Sequence, residues 1–235
     1  MHIDILVEDS SGHRLLDIIV PQIIGEFGEP HTWKIISYKG IGRIPKGLRP
    51  NADASKRILL DRLPDLLRGY GRTPGIDGLV VVVDSDRVSC VDLLNELKAV
   101  AAACNPSPNV IFRIAVEEIE AWYLGDRAAV MSAYPRAKQD VLNRYEQDSI
   151  CGTWELLADA VHKGGSAALK RQGYVAAGAA KHEWADQIGS RMNMANNASH
   201  SFSKFRDGLI RLVVTSPLPV DPDTSGADNT LPGGA

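Results

Sequence analysis

The hydrophobic residues of this chain follow two patterns, short continuous runs and longer stretches with helical spacing. In the longer stretches, apolar residues recur at intervals of three and four, which predicts helices with one buried face. Strands that alternate with helices predict βαβ units and a mainly parallel sheet, and therefore an α/β fold. Pro21 and Pro64 predict kinks or interruptions in two of these helices. The short runs, each predicted to be a strand, cover residues 2–7, 32–38, 79–83 and 110–116.

The pattern changes after Glu117, where helical spacing continues to about residue 214 without another strand. We therefore predict an α/β core over residues 1–125 with its sheet flanked by helices. Residues 126–214 are expected to form a helical extension that packs on this core. Residues 215–235 are rich in proline, glycine and aspartate and lack basic residues, which predicts a disordered tail.

Composition narrows the class of protein. The 235 residues are 44% hydrophobic and carry a formal net charge of −3, so any nucleic-acid binding must come from a local basic patch. Three cysteines without zinc-site spacing indicate reduced thiols. The chain opens directly on a strand pattern, and no apolar stretch approaches the ~20 residues that span a bilayer. We expect a cytoplasmic protein with no membrane segment.

Carboxylates follow two of the predicted strands directly. The stretch LVVVVDSD begins at Leu79 and ends in Asp84 and Asp86, and Glu8 follows the first strand. Ligands of open α/β sheets bind beyond the carboxyl ends of the strands, so all three acids are expected at one edge. In extended backbone, Asp84 and Asp86 would point the same way. The alternative is structural, with Asp84 capping the next helix and the other two as surface acids.

Such a cluster of acids favours a bound divalent cation. Neighbouring carboxylates repel one another unless a cation neutralises them. Hard oxygen ligands with few histidines nearby suit Mg²⁺ or Mn²⁺ rather than Zn²⁺. The chemistry that this set indicates is metal-assisted hydrolysis of a phosphodiester.

More acids follow the fourth strand. In a helix, Glu117 and Glu120 would share a face, whereas in extended backbone Glu118 and Glu120 would do so. The structural alternative is that these acids complement the dipole of a helix that starts here. Both interpretations stay open at this point.

A basic, glycine-containing stretch lies between the second strand and the next helix. Over residues 39–57 the only acid is Asp53, and glycines leave backbone amides accessible to phosphate. The stretch lacks the GxxxxGK[ST] pattern of a nucleotide-binding P-loop. It is either a solvated loop or a contact to the phosphate backbone of nucleic acid. The candidate binding residues are Lys39, Arg43, Lys46 and Arg49.

The helical half adds one candidate and several residues that we interpret as structural. Lys181 could neutralise the charge of a phosphate during its transfer. His182 and His200 have no second ligand at zinc-site spacing. Trp184, Phe202 and Phe205 are interpreted as core aromatics rather than base-stacking residues.

Together these motifs resemble the TOPRIM domain, the catalytic fold of topoisomerases, primases and OLD-type nucleases. Glu118-Ile119-Glu120-Ala121-Trp122-Tyr123-Leu124 resembles the ExEAWxL signature of a TOPRIM-like family of unknown function. That family also ends in a lysine-bearing helix and an S-x-SF-x-x-F segment, to which Lys181 and residues 199–205 are similar. One departure is Asp9, since glycine often follows the glutamate in the family.

The resemblance implies a Rossmann-like core whose site binds metal. It implies that Glu8, Asp84 and Asp86 bind the metal, with Glu8 as a general base or acid. It also implies that Glu118 and Glu120 add ligands or orient them. Members are often encoded beside an AAA/ABC-type ATPase, in what look like bacterial anti-phage or mobile-element systems. The implied partners are therefore such an ATPase and nucleic acid, with DNA favoured over RNA.

Three functions remain in view. The preferred one is an Mg²⁺-dependent TOPRIM-like nuclease with Glu8, Asp84, Asp86, Glu120 and Lys181 as its catalytic residues. A second enzyme hypothesis is a haloacid-dehalogenase-type phosphatase, with Asp84 as the nucleophile and Asp86 as the acid. The third is a catalytically silent binding or regulatory subunit of an ATPase complex.

Overall fold

The computed structural model describes residues 1–28, 30–38 and 54–215, with only the backbone of residues 54–58. Its centre is a four-stranded sheet in which every pairing is parallel and the order is β2-β1-β3-β4. The predicted α/β fold with a parallel sheet is confirmed. The strands are β1 (His2–Val7), β2 (Thr32–Ser37), β3 (Gly78–Asp84) and β4 (Val110–Ala115).

Helices connect the strands and make up the second half of the described chain. Pro21 and Pro64 lie inside α1 and α2, and both helices continue through them, so the predicted break at Pro64 is wrong and Pro21 does not split its helix. The helices are α1 (Ser10–Ile24), α2 (Ala54–Tyr70), α3 (Cys90–Ala102), α4 (Glu120–Leu124), α5 (Arg127–Ala133), α6 (Gln139–Asn143), α7 (Thr153–Val161), α8 (Gly165–Gln172), α9 (Tyr174–Trp184), a π-helical turn (Ala185–Gly189) and α10 (His200–Thr215).

The sheet is buried on both faces, which explains the continuous valine run of β3. Alternate residues of a strand point to opposite faces. Val80 and Val82 belong to a cluster with α1 and the later helices, whereas Val81 and Val83 belong to a second cluster with α2 and α3. A strand covered on both faces needs apolar residues at every position. The first cluster contains residues from both sides of position 125.

Helix α10 packs against α4 through Trp122. The indole Nε1 of Trp122 donates a 3.0 Å hydrogen bond to Ser201 Oγ, and its ring stacks on Phe205 with 5.0 Å between centroids. Phe202 contacts the same ring edge-on at 5.7 Å. Trp184, Phe202 and Phe205 are all buried, so their interpretation as core aromatics is confirmed. The two segments that resemble motifs of the TOPRIM-like family, one around Trp122 and one around Ser201, therefore pack against each other.

No helix in the described parts of the chain is long and apolar enough to cross a lipid bilayer. The predicted tail, apart from Thr215 at the end of α10, lies outside the described residues.

We expect Ser201→Ala to lower the free energy of unfolding by about 1–3 kcal/mol, because the buried Trp122 N–H loses its acceptor. Urea denaturation of the purified chain measures this difference. Ser203→Ala, two residues along the same helix, is the matched control and should change stability by less than about 0.5 kcal/mol. Equal stabilities of the two variants would contradict this assignment.

Candidate functional site at the carboxyl edge of the sheet

The carboxyl ends of β1 and β3 bring Glu8 and Asp84 to the same edge of the sheet. Val7 pairs with Val82 on the neighbouring strand, so Glu8 leaves β1 where β3 reaches its last residue, Asp84. Glu8 is only 6% exposed, and Asp84 is half-buried. Asp84 is not the cap of the following helix, because Ser89 is the N-cap residue of α3.

The backbone turns sharply after β3 and β4. Asp86 and Glu117 both have left-handed backbone, with φ of 50° and 59°. The Asp86 N–H donates to the Glu117 carbonyl at 2.9 Å, and the Glu117 N–H donates to Ser85 Oγ at 2.8 Å. The expectation that Asp84 and Asp86 point the same way assumed extended backbone. That assumption does not hold at Asp86.

Glu117 is a structural residue that caps a distant helix. Its carboxylate accepts hydrogen bonds from the backbone N–H groups of Cys151, Gly152 and Thr153 and from the Thr153 hydroxyl. Gly152 is the N-cap of α7 and has no side chain to serve this purpose. Burial raises the pKa of Glu117, but these hydrogen bonds outweigh burial and leave the pKa below its ordinary value.

Lys181 of α9 joins the remaining acids. Its Nζ lies 3.2 Å from Glu120 Oε1 and 3.6 Å from Glu118 Oε2. Lys181 and Glu118 are about one-fifth exposed, at 19% and 21%, and Glu120 is 1% exposed. Burial lowers the pKa of Lys181, but Glu120, Glu118, Asp84 and Asp9 outweigh burial and raise it well above its ordinary value. The ammonium group therefore contacts two carboxylates that follow β4, and the charges of Asp84 and Asp9 add to the rise in its pKa.

The acids at this edge of the sheet offer carboxylate oxygens, the type of ligand that a hard divalent cation takes. Glu120 Oε2 is buried and has no hydrogen-bond partner among the described residues, which is costly for a carboxylate oxygen. Within the described parts of the chain, no three His, Cys, Asp or Glu side chains form a group that could hold a metal ion. Mg²⁺ usually takes one or two protein carboxylates and completes its shell with water or substrate phosphate. An ion held mainly by Glu8 and Asp84 is compatible with that arrangement.

Two residues of the site were missed in the sequence. Asp9 is the N-cap of α1, where it accepts a 2.6 Å hydrogen bond from the Gly12 N–H. Its φ of −140° is extended backbone, so the position does not require the glycine that is common in the resembling family. An aspartate directly before an apolar helical pattern is a typical N-cap signal, so the capping role of Asp9 could have been predicted. Trp154, whose ring centroid lies 5.9 Å from Lys181 Nζ, had no such signal.

Of the two candidate histidines in the helical half, one forms a hydrogen bond with α1 and the other lies on the surface. His182 Nε2 shares a 2.9 Å hydrogen bond with Ser10 Oγ, and His200 is exposed at the start of α10. The four candidate nucleic-acid-binding residues Lys39, Arg43, Lys46 and Arg49 lie outside the described residues.

The fold and the site define an α/β protein whose parallel sheet carries carboxylates near a partly buried lysine at its carboxyl edge. The chain belongs to the family described as Domain of unknown function (DUF4276), whose family model matches residues 7–210. That range includes all the acids of the site, Lys181 and the segment around Ser201. No curated protein and no solved structure matches the chain.

We expect Glu117→Gln to lower the free energy of unfolding by about 2 kcal/mol at pH 7, because hydrogen bonds to a charged acceptor are lost. The pKa of Glu117 is lower in the folded chain than its ordinary value of 4.5. Its stabilisation is therefore complete above pH 4.5 and is lost as the pH falls through the folded pKa. Urea denaturation across this range should show wild type and variant converging in acid. A constant difference would contradict the capping role.

Proposed function

We propose that this protein is a metal-dependent nuclease that hydrolyses phosphodiesters of nucleic acid. The observation that carries the proposal is the pairing of Lys181 with Glu120 and Glu118 at the edge of the sheet where β1 and β3 lead into Glu8 and Asp84. Acids of one edge and a lysine are the groups that phosphoryl chemistry requires, since they bind a cation and neutralise phosphate charge. The resemblance of these segments to the TOPRIM domain and to OLD-type nucleases supports the same reaction.

In this proposal Glu8 and Asp84 hold Mg²⁺ or Mn²⁺, and Asp86, Glu118 and Glu120 complete or orient the ligand set. The bound ion would supply an activated water and stabilise the leaving oxygen. Glu8 is buried at the end of β1, where its carboxylate can accept a proton from the attacking water.

Lys181 has a separate task in this mechanism. Its ammonium group is held by Glu120 and Glu118 and stays protonated, so it can neutralise charge on the phosphate. Glu120 is a positioning residue because it fixes the lysine from a buried site in α4.

The partners follow from the same proposal. Nucleic acid, with DNA favoured over RNA, would be held by the basic residues Lys39, Arg43, Lys46 and Arg49 through its phosphates. An AAA/ABC-type ATPase is proposed as a protein partner, in a bacterial defence or mobile-element system. This part of the proposal is supported by the resemblance alone.

We expect Asp84→Asn and Glu8→Gln each to reduce Mg²⁺- or Mn²⁺-dependent cleavage at least a hundredfold while leaving the fold intact, because each removes a metal-binding charge. Cleavage of labelled single- and double-stranded DNA and RNA, with and without EDTA, measures the effect. Asp61→Asn, an exposed aspartate of α2, is the matched control and should cleave normally. Wild-type activity in Asp84→Asn would remove the site assignment.

A catalytically silent nucleic-acid-binding or regulatory subunit is the second candidate. It is favoured by the ion pairs themselves, because Lys181 already neutralises Glu118 and Glu120 without any metal. A protein of this kind would keep the acids as structural partners of the lysine and would bind no ion at Asp84.

Lys181→Met separates the two candidates through stability. Removing one partner of a buried pair should cost about 3–5 kcal/mol, because Glu120 is left buried without its counter-ion. In the nuclease, millimolar Mg²⁺ should then raise the melting temperature of Lys181→Met more than that of wild type or Lys181→Arg. Thermal melts in Mg²⁺ and in EDTA measure this difference. Melting temperatures that Mg²⁺ changes in none of the three proteins would support the silent subunit.

A further inference from the structure

A pocket of about 620 Å³ adjoins the acidic site and shares Asp86 and Glu118 with it. Its lining also includes Trp154, Arg87 and Lys170. Pockets that take small organic ligands typically measure about 300–1,000 Å³, so this one can take a group of that size. An aromatic ring beside two basic side chains is the combination that binds a base together with its phosphate.

Trp154 is half-buried in the first turn of α7, with a lysine over its ring from each of two helices. Lys170 Nζ of α8 lies 5.5 Å from the ring centroid, and Lys181 Nζ of α9 lies 5.9 Å away. Lys181 links this ring to the acidic site, because the same ammonium group contacts Glu120. A base stacked on Trp154 would therefore be separated from Glu120 only by the Lys181 side chain.

Four carboxylates line the pocket beside its two basic side chains, and each of the four has an interaction partner within the chain. The Glu117 carboxylate accepts hydrogen bonds from the N-terminus of α7, and Glu118 forms an ion pair with Lys181. Lys170 is 56% exposed, and its pairing with Glu155 at 3.1 Å is of the weak surface kind that a phosphate can replace. Arg87 is exposed and forms no ion pair within the described parts of the chain.

We infer that this pocket binds one unpaired nucleotide of a single-stranded nucleic acid, next to the phosphodiester that the acidic site hydrolyses. The inference rests on the proposed function and specifies its substrate. The base stacks on Trp154 in place of the exposed Lys170 side chain, which turns with Arg87 to the adjoining phosphates. A base within a duplex has both faces covered by its neighbours, so only a single strand or a frayed end can bind in this way.

Binding of a fluorescein-labelled oligothymidylate of about 12 nucleotides to the full chain, in EDTA, tests the inference without requiring cleavage. Trp154→Ala and Trp154→Leu should weaken binding about tenfold, because both remove the stacking ring, and Trp154→Phe should stay within about threefold of wild type. Lys170→Ala should lower the slope of log affinity against log salt by about 0.7, the value for one lost single-strand phosphate contact. Lys163→Ala, an exposed lysine outside the pocket, is the matched control and should leave affinity and slope unchanged.

Wild-type affinity in folded Trp154→Leu would overturn the pocket assignment, as would equal slopes for Lys170→Ala and Lys163→Ala. Equal binding of a duplex of the same length, with the same dependence on Trp154, would overturn the single-strand assignment. Failure of the proposed function is distinguishable from both results. Trp154-dependent binding by a chain that cleaves nothing refutes the nuclease but supports the pocket. Metal-dependent cleavage with unchanged kcat and KM in Trp154→Leu refutes the pocket alone.

Discussion

The ion pair between Lys181 and Glu120 is the interaction on which the site depends. Glu120 is almost fully buried, and a buried carboxylate requires a nearby cation or additional hydrogen bonds. The lysine that supplies the charge comes from α9, 61 positions further along the chain. The pair therefore connects the helical half to the edge of the sheet and brings acids of three strands under the influence of one ammonium group.

The nuclease and the silent subunit assign different roles to this ion pair between Lys181 and Glu120. A lysine among carboxylates serves a nuclease if Glu8 and Asp84 hold an ion and the ammonium group receives the phosphate. It serves a silent subunit if charge neutralisation is all that the acids require. Glu8 and Asp84 lie at the ends of adjacent parallel strands, where open α/β sheets bind ligands, and both hypotheses accommodate that placement.

Most of the sheet was predictable because the central strands consist of continuous apolar residues, the composition expected of strands buried on both faces. The valine run of β3 and the short run of β1 are apolar on both faces, and the acids follow them directly. The contacts of Glu117 and Lys181 were not predictable, because they join residues tens of positions apart through side chains without periodic spacing. The backbone at Asp86 also follows from its hydrogen bond to Glu117 and not from local sequence. Pro21 and Pro64 show the reverse case, where packing of α1 and α2 overrides a local signal.

The cap on α7 has a consequence for what the protein excludes. The start of a helix is a ready anion site, because its N–H groups and dipole attract negative charge. Here Glu117 fills that place permanently, using the N–H groups of residues 151–153 and the Thr153 hydroxyl. Because these donors already bind a carboxylate of the same chain, inorganic phosphate or sulfate cannot bind at the N-terminus of α7.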